Sequence, residues 1–233
     1  MSNPKITAFV SHKGGTGKTT TNVATMKTLA GMGKKCLAID FDSNLSLSQI
    51  FDSVGHSPNS IDLLNGDKIK PMQTGVENIW IIPSDLRIFR MSSLPEKILK
   101  KSLMAQDLSM FDYVFLDPPG TLNAMTATVI CAADKIIIPA MPSEIDFEAT
   151  SLVIEEMEMM DVEADVSIVL NGWDSKRNLN GILEKFQTYE DLFYSKPIPA
   201  MKSLKNLTEN VEKYKLVGVA KKRIEDFVLG VVL

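Results

Sequence analysis

The sequence is poor in cysteine and histidine, with two of each among 233 residues, and it has no long hydrophobic run. Cys36 and Cys131 lie among apolar residues without a second Cys or His at metal-ligand spacing, so we expect reduced core thiols. The longest apolar stretch near a terminus, residues 227–233, has seven residues, whereas a membrane-spanning helix needs about 20. The first residues lack the pattern of a secretory signal, which predicts a cytoplasmic protein.

Composition and charge indicate a globular chain whose basic residues are unevenly placed. Hydrophobic residues make up 45% and charged residues 23% of the chain, which predicts one compact domain over residues 1–233. The formal net charge of −4 argues against nucleic acid as a partner. However, residues 171–233 carry 11 basic and 8 acidic side chains, so the acidic total hides a basic carboxyl-terminal part.

Short apolar runs rich in β-branched residues alternate with helical patterns, which is typical of an α/β fold with a mostly parallel twisted sheet and helices on both faces. The predicted strands are 6–10, 36–40, 79–82, 113–117, 135–139 and 166–170. The predicted helices are 18–32, 95–105, 123–132, 146–160, 178–186, 203–214 and 219–228, and residues 52–60 resemble a surface loop. In open α/β sheets, ligands bind at the carboxyl ends of the strands.

The most informative segment follows the first predicted strand and opens the first predicted helix. It reads Lys13-Gly14-Gly15-Thr16-Gly17-Lys18-Thr19-Thr20. Glycines at this spacing let successive backbone N–H groups point at phosphate oxygens, and the helix N-terminus adds its positive dipole end. Lys18 is expected to bridge the β- and γ-phosphates, and the Thr19 hydroxyl to ligate Mg²⁺. The segment therefore predicts a phosphate-binding loop.

His12 stands where the general phosphate-binding loop has glycine, and Lys13 adds a second lysine. The pattern K-G-G-x-G-K-[ST] resembles the deviant Walker A signature of the ParA and MinD superfamily of ATPases, which share the P-loop NTPase fold. The resemblance implies ATP and Mg²⁺ as cofactors and a nucleotide-sandwich homodimer in which Lys13 reaches the partner subunit's phosphates. A second cation there stabilises charge that develops in the transition state. Gly14 is expected where the two loops meet, and His12 to be a loop residue.

Two strand-end carboxylate segments extend the match. Asp40 and Asp42 resemble the D-x-D-P-Q segment of the family, in which the second Asp positions the attacking water, although Ser43 and Asn44 replace Pro-Gln here. Asp117 follows a buried strand and resembles the Walker B carboxylate that holds Mg²⁺ through a water. The resemblance makes Thr19, Asp42 and Asp117 the candidate metal residues. The alternative is that the pair at 40 and 42 only solvates the strand end.

Three later segments also resemble the family. Pro119 matches a proline in the switch loop after Asp117. Residues 139–147 resemble the P-x-x-P-S-x-x-D-F segment of small plasmid-partition ATPases, which precedes a helix at the dimer face. Asn171 ends a strand at the position that contacts adenine, and Pro199 is a candidate for the loop that covers the base. A plain loop remains the alternative at both positions.

The leading function is that of a small ParA-type partition ATPase. Because the chain begins almost directly at the first strand, we expect no amino-terminal helix-turn-helix and no operator-specific binding. The resemblance implies ATP-dependent dimerisation, non-specific DNA binding at the nucleoid and stimulation by a centromere-binding partner of the ParB type. The candidate DNA contacts are Lys202, Lys205, Lys221, Lys222 and Arg223. The alternative is a solvated helical face balanced by neighbouring acidic residues.

The second candidate is a MinD-like positioning ATPase that binds membrane through its last helix, because basic residues 221–223 precede the apolar residues 227–233. The closing run is apolar on all sides and contains Gly230, which favours packing against the sheet. A nitrogenase-like iron protein is disfavoured because Cys36 lies inside a predicted strand. A tyrosine-kinase relative is disfavoured because no tyrosines cluster at the tail, and a non-catalytic module because the catalytic side chains are all present.

Overall fold

The computed structural model describes residues 3–173, 180–200 and 202–233, and within them eight strands form one sheet. The strands are β1 Lys5–Phe9, β2 Cys36–Asp40, β3 Met72–Gln73, β4 Ile79–Ile82, β5 Tyr113–Asp117, β6 Lys135–Ala140, β7 Asp165–Trp173 and β8 Phe193–Pro199. Their order across the sheet is β3-β4-β2-β5-β1-β6-β7-β8, and all neighbours run parallel except β3 and β4. The predicted α/β class with a mostly parallel sheet is confirmed.

The most buried strands were the easiest to predict. The bounds of β2, β4 and β5 agree with the sequence prediction to the residue, and all five residues of β2 and of β5 are buried. The prediction missed β3, which has two residues, and β8, whose pattern of exposure at Ser195 and Lys196 is that of an edge strand. Strand β7 runs three residues beyond the predicted end at Leu170.

The helices lie between the strands along the chain. They are α1 Lys18–Gly31, α2 Ser46–Ile50, α3 Ser60–Leu64, α4 Ile98–Met104, α5 Ala124–Ala132, α6 Glu144–Met159, α7 Asn180–Phe186, α8 Lys202–Glu209 and α9 Gly218–Phe227. Short 3₁₀ turns span Leu86–Arg90 and Gln187–Leu192, and a π-helical turn, Val228–Val232, follows α9. The short helices α2 and α3 were not predicted, because five-residue helices carry little periodicity.

Two predicted helices were too long. Helix α4 begins at Ile98 instead of residue 95, after a turn in which the Ile98 N–H donates to the Pro95 carbonyl at 3.0 Å. Helix α8 ends at Glu209 instead of residue 214, and Lys27 of α1 donates to the Tyr214 carbonyl at 2.8 Å. The start predicted for α7, residues 178 and 179, lies outside the described residues.

Both faces of the sheet are covered, so alternate residues of a strand enter different cores. Leu37 belongs to the core on one face, and Ala38 to the core on the other face, where α1, α8 and α9 pack. Cys36 and Cys131 are free thiols, and burial raises the pKa of Cys36 to about 12. Among the described residues, no helix is long and apolar enough to span a lipid bilayer.

The closing residues of the chain belong to the core, as the apolar pattern predicted. Phe227, Val228 and Val232 are fully buried and Val231 nearly so, whereas Leu229 and Leu233 are 59% and 55% exposed. The end of the chain is therefore mainly an internal packing element with two apolar side chains at the surface.

Candidate nucleotide site

The loop between β1 and α1 has the backbone conformation of a phosphate-binding loop. Gly15 and Gly17 have φ values of +83° and +85°, in the left-handed region that favours glycine. A Cβ at Gly17 would also lie 1.9 Å from the amide nitrogen of Asn171, so any larger residue there would displace that side chain. The loop then opens α1, which directs the positive end of the helix dipole at the loop.

A cleft of about 700 Å³ lies in front of this loop. Its walls are the segment after β2, the 3₁₀ turn near Phe89 and the segment 119–125 after β5. These segments meet because the parallel strands β1, β2 and β5 are neighbours whose carboxyl ends share one edge of the sheet. The predicted residues 13–20 and Asp42 all line the cleft.

Lys18 and Thr19 both contact Asp117 at the bottom of the site. The Lys18 ammonium lies 3.2 Å from Asp117 Oδ1, and the Thr19 hydroxyl donates to Asp117 Oδ2 at 2.8 Å. Lys18 is 8% exposed and Asp117 is fully buried. A hydroxyl and a carboxylate oxygen held side by side are the hard oxygen donors that Mg²⁺ prefers, and Mg²⁺ keeps several waters at such sites. The residues present therefore fit the predicted metal, and the glycine loop beside the cleft fits a triphosphate.

Asp42 sits at the side of the cleft, and Asp40 lies behind it. Asp42 is 8% exposed, and its Oδ1 accepts the Asn44 N–H at 2.9 Å. Asp40 is fully buried, and its oxygens accept the Asp42 N–H at 3.0 Å, the Ser48 N–H at 2.9 Å and the Ser48 hydroxyl at 2.6 Å. Burial, together with the neighbouring Asp117, raises the pKa of Asp40 to about 7. The two carboxylates thus differ in role, since Asp40 holds the backbone that presents Asp42.

Lys13 is paired within its own chain. Its ammonium lies 2.6 Å from Asp146 Oδ2, in the first turn of α6, and Asp146 is 1% exposed. Asp146 also accepts the Met141 N–H at 3.2 Å and the Ser143 hydroxyl. Lys13 itself is 37% exposed, so the ion pair lies at the surface of the cleft rim. The role of Lys13 toward a second subunit, implied by the resemblance, stays a prediction.

The two predicted adenine residues lie on neighbouring strands. Asn171 is 8% exposed, and its amide nitrogen donates to the Thr16 carbonyl at 2.8 Å, so it braces the phosphate-binding loop. Its amide oxygen accepts the Gly172 N–H at 3.0 Å. Pro199 ends β8 opposite β7 and is partly buried. Both side chains are therefore at the sheet edge that carries the loop, and their contact with a base stays a prediction.

The five candidate DNA contacts are exposed and lie on two helices that both pack against α1. Lys202 and Lys205 lie on α8, and Lys221, Lys222 and Arg223 lie on α9. Lys205 and Lys221 form i,i+4 ion pairs of 3.8 and 3.6 Å with Glu209 and Glu225. Exposed pairs of this kind contribute at most about 1 kcal/mol. The cations therefore remain available to a phosphate backbone.

Comparison with known proteins identifies the family. Residues 4–170 match the family described as an AAA domain. The chain is also 26% identical over 220 residues to the sporulation initiation inhibitor protein Soj of Bacillus subtilis, covering 84% of each protein. The chain belongs to the ParA and MinD superfamily of ATPases. The resemblance inferred from the Walker A segment is thus confirmed.

Solved structures confirm the P-loop NTPase fold of this ParA and MinD family member. A plasmid partition protein of Borrelia burgdorferi bound to AMPPNP superposes with a TM-score of 0.84, 20% identity and 97% coverage of both chains. The septum site-determining protein MinD of Pyrococcus horikoshii, complexed with Mg-ADP, superposes with a TM-score of 0.77, 21% identity and coverage of 95% of this chain and 93% of that chain. At these identities the likeness establishes the fold alone.

Three features of this ParA and MinD family member escaped the sequence analysis. Asp146 lies in a segment that the sequence analysis recognised, but its ion pair with Lys13 was not predicted because the two residues are 133 positions apart. Asp40 was given no role of its own beside Asp42, because nothing local reveals that its carboxylate is fully buried. His12 lies in a loop, as predicted, but the sequence did not show that its Nδ1 accepts the Leu122 N–H at 2.9 Å. The only local signal at that position was a histidine where the general pattern has glycine.

Proposed function

We propose that this chain is an Mg²⁺-dependent ATPase that acts in DNA partition as an ATP-bound sandwich homodimer. The observation that carries the proposal is the convergence of Lys18, Thr19 and Asp117 behind the phosphate-binding loop, with Asp42 beside the same cleft. This set combines a cation for phosphate, oxygen donors for Mg²⁺ and a carboxylate acceptor for water, which suits phosphoryl transfer. The chromosome-partitioning ATPase Soj of Treponema pallidum, to which the chain is 25% identical over 176 residues, and the plasmid partition protein support partition as the process.

Each side chain of the set has its own task in hydrolysis. Backbone N–H groups of residues 14–19 hold the phosphates, and Lys18 neutralises charge on the β- and γ-phosphates. Thr19 and Asp117 would hold Mg²⁺, whose charge would stabilise the phosphate oxygens. Asp42 accepts a hydrogen bond from the attacking water and orients it for in-line attack. The Asp40 carboxylate keeps Asp42 in place through its backbone N–H.

A second subunit completes the proposed site. Lys13 leaves Asp146 and reaches the phosphates of the partner subunit, where a second cation stabilises the transition state. Among the described residues, no atom beyond the two residues adjacent to Gly14 lies within 4 Å of a Cβ built on that glycine. The space before the loop is thus open to another loop. Asn171 and Pro199 are proposed to contact the adenine base of each nucleotide.

Two substitutions test the enzymatic part of the proposal. Lys18→Ala should abolish ATP binding, measured by equilibrium dialysis, because the phosphate cation is removed. Asp42→Ala should bind ATP, hydrolyse it at least about 100-fold more slowly, and accumulate as a dimer in size-exclusion chromatography with ATP. Lys100→Ala, at an exposed position of α4, serves as the control. Normal hydrolysis by Asp42→Ala would refute the catalytic assignment.

DNA binding is proposed to use the exposed cations of α8 and α9, which share one face of the sheet with α1. The triple substitution of residues 221–223 to alanine should weaken ATP-dependent DNA binding in a gel-shift assay. It should also reduce the slope of log K against log salt by about 0.9 for each phosphate that the protein no longer neutralises. The matched control is the triple alanine substitution of the exposed Lys97, Lys100 and Lys101, which removes the same charge elsewhere. If both triple variants weaken DNA binding equally, the effect is due to net charge and not to the position of residues 221–223.

Stimulation by a ParB-type centromere-binding protein and association with the nucleoid in the cytoplasm belong to the same proposal. A steady-state ATPase assay with DNA, with and without the purified partner, tests the first. Fluorescence microscopy of a tagged chain and of the Lys18→Ala variant tests the second, because only the ATP-bound dimer should locate to DNA.

A MinD-like membrane role is the second candidate, favoured by the exposed Leu229 and Leu233, which follow the exposed basic residues 221–223 in the sequence. Truncation is a poor test because Phe227 and Val228 are in the core. The variant Leu229→Ser with Leu233→Ser changes only exposed side chains. The membrane role is supported if the wild-type chain sediments with anionic liposomes when ATP is present and this variant does not. It is excluded if the wild-type chain does not sediment with the liposomes.

A further inference from the structure

The histidine before the deviant Walker A segment joins two loops that lie apart in the sequence. His12 Nδ1 accepts the N–H of Leu122 at 2.9 Å, across 110 positions of sequence. Leu122 follows Asp117, Pro119 and Gly120 in the loop after β5. An imidazole accepts at Nδ1 only in the neutral form that carries its proton on Nε2. The bond therefore depends on a neutral His12.

A second contact places the same two loops together. A Cβ at Gly120 would lie 3.3 Å from the Lys13 carbonyl oxygen and 3.5 Å from the Gly14 nitrogen, so the loop after β5 runs directly against the phosphate-binding loop. The anchoring continues beyond Leu122. The Asn123 side chain caps α5 by accepting the Thr126 N–H at 3.0 Å. The His12 bond is thus the side-chain link between the phosphate-binding loop and the start of α5.

We infer that His12 is a positioning residue, which holds the loop of residues 118–123 against the phosphate-binding loop in the alignment that hydrolysis needs. The inference rests on the proposed ATPase function. Since residues 119–121 and 123 line the cleft in front of the loop, a shift of this segment would displace groups in the space where the phosphates are proposed to bind. His12 itself does not line that cleft and so acts through Leu122.

The charged side chains among the described residues that line the small cavity shared by His12, β6 and α6 are those of Lys13 and Asp146. They pair with each other at 2.6 Å. The residues that β6 contributes to this cavity, at 138–140, are apolar, and α5 contains no charged residue. Protonation of His12 would replace the Nδ1 acceptor by a donor and break the bond to Leu122.

The test compares three variants with the wild-type full-length chain. His12→Ala removes the acceptor. His12→Asn keeps an acceptor oxygen near the Nδ1 position and does not titrate. His56→Ala removes the other histidine of the chain, at an exposed loop position, and is the matched control. Circular dichroism and thermal unfolding establish that each variant is folded.

Two measurements are made on each variant. Hydrogen exchange of the Leu122 amide by NMR, without nucleotide, reports the bond itself. It should speed up about tenfold in His12→Ala and remain near the wild-type rate in His12→Asn and His56→Ala. ATP hydrolysis should show kcat reduced about five- to tenfold in His12→Ala with KM within about twofold, and recovery in His12→Asn.

The split between kcat and KM and the recovery in His12→Asn separate positioning from a general structural role. Unchanged Leu122 exchange in His12→Ala, or a kcat of His12→Asn as low as that of His12→Ala, would overturn the inference. If the wild-type chain hydrolyses no ATP, the proposed function fails, and the exchange measurement still decides whether His12 positions the loop.

Discussion

The buried Asp40 carboxyl group makes the stability of this protein depend on pH in a predictable direction. Its pKa is raised from the ordinary value of 3.8 to about 7, first by burial and then by the nearby Asp117, although Ser48 and the Asp42 N–H donate hydrogen bonds to it. The difference between the two values corresponds to about 4 kcal/mol. This is a large share of the stability of a typical domain.

The sign follows from proton binding in the two states. Below pH 3.8 the group is protonated in the folded and the unfolded chain, so ionisation costs nothing. As the pH rises to about 7, the unfolded chain releases the proton while the folded chain keeps it, so the free energy of unfolding decreases. Above about 7 both states are ionised, and the full penalty of about 4 kcal/mol remains.

Urea denaturation of the wild type and of Asp40→Asn between pH 4.5 and 8.5 measures this penalty. The assay contains no nucleotide or Mg²⁺, because a bound cation near Asp117 would favour the ionised carboxylates. Asp40→Asn should become more stable relative to the wild type as the pH rises, by up to about 4 kcal/mol at pH 8. Asp67→Asn, at an exposed position, controls for the removal of one charge. A difference between wild type and Asp40→Asn that does not change with pH would refute the reasoning.

Three further predictions concern the loop, the dimer and the chain end. In urea denaturation, Gly17→Ala should lower the free energy of unfolding by at least about 1 kcal/mol, because Gly17 has a φ of +85° and lies against the Asn171 side chain. Gly14 has open space around it, so Gly14→Ala should fold normally. In size-exclusion chromatography with ATP, Gly14→Ala should fail to dimerise. Asp146→Asn should lower the ATP concentration needed for dimerisation about fivefold, because an ion pair worth about 1 kcal/mol no longer holds Lys13. An unchanged ATP concentration at half-maximal dimerisation, measured by analytical ultracentrifugation, would contradict this. Phe227→Ala should cost about 3 to 5 kcal/mol in urea denaturation because its side chain is fully buried, and Leu229→Ala, at a 59% exposed position, should cost less than about 1.

Local patterns predicted the centre of the fold well and its edges poorly. The bounds of β2 and β5 were predicted to the residue because a strand buried on both faces must be apolar throughout, and polar residues mark its ends. Strand β8 was missed because an edge strand tolerates exposed polar side chains and needs no such run. Helix α8 was predicted too long, and the Tyr214 carbonyl at the predicted end instead accepts a hydrogen bond from Lys27 of α1.

The sequence alone predicted the phosphate-binding loop and its place in the fold. Glycines at 15 and 17, a lysine and a hydroxyl at fixed spacing form one continuous segment, and a helix start and a strand end bring that segment to the sheet edge whatever packs around it. The carboxylates Asp42 and Asp117 were likewise found from their strands, because parallel neighbours end at the same edge.

Only the tertiary structure decided how these residues are held. Asp146 pairs with Lys13, Asn171 braces the phosphate-binding loop, and His12 accepts the Leu122 N–H, all between residues more than 100 positions apart. The burial that raises the pKa of Asp40 also comes from several elements at once. Such contacts depend on how helices and loops cover the sheet edge, so no local pattern of residues encodes them.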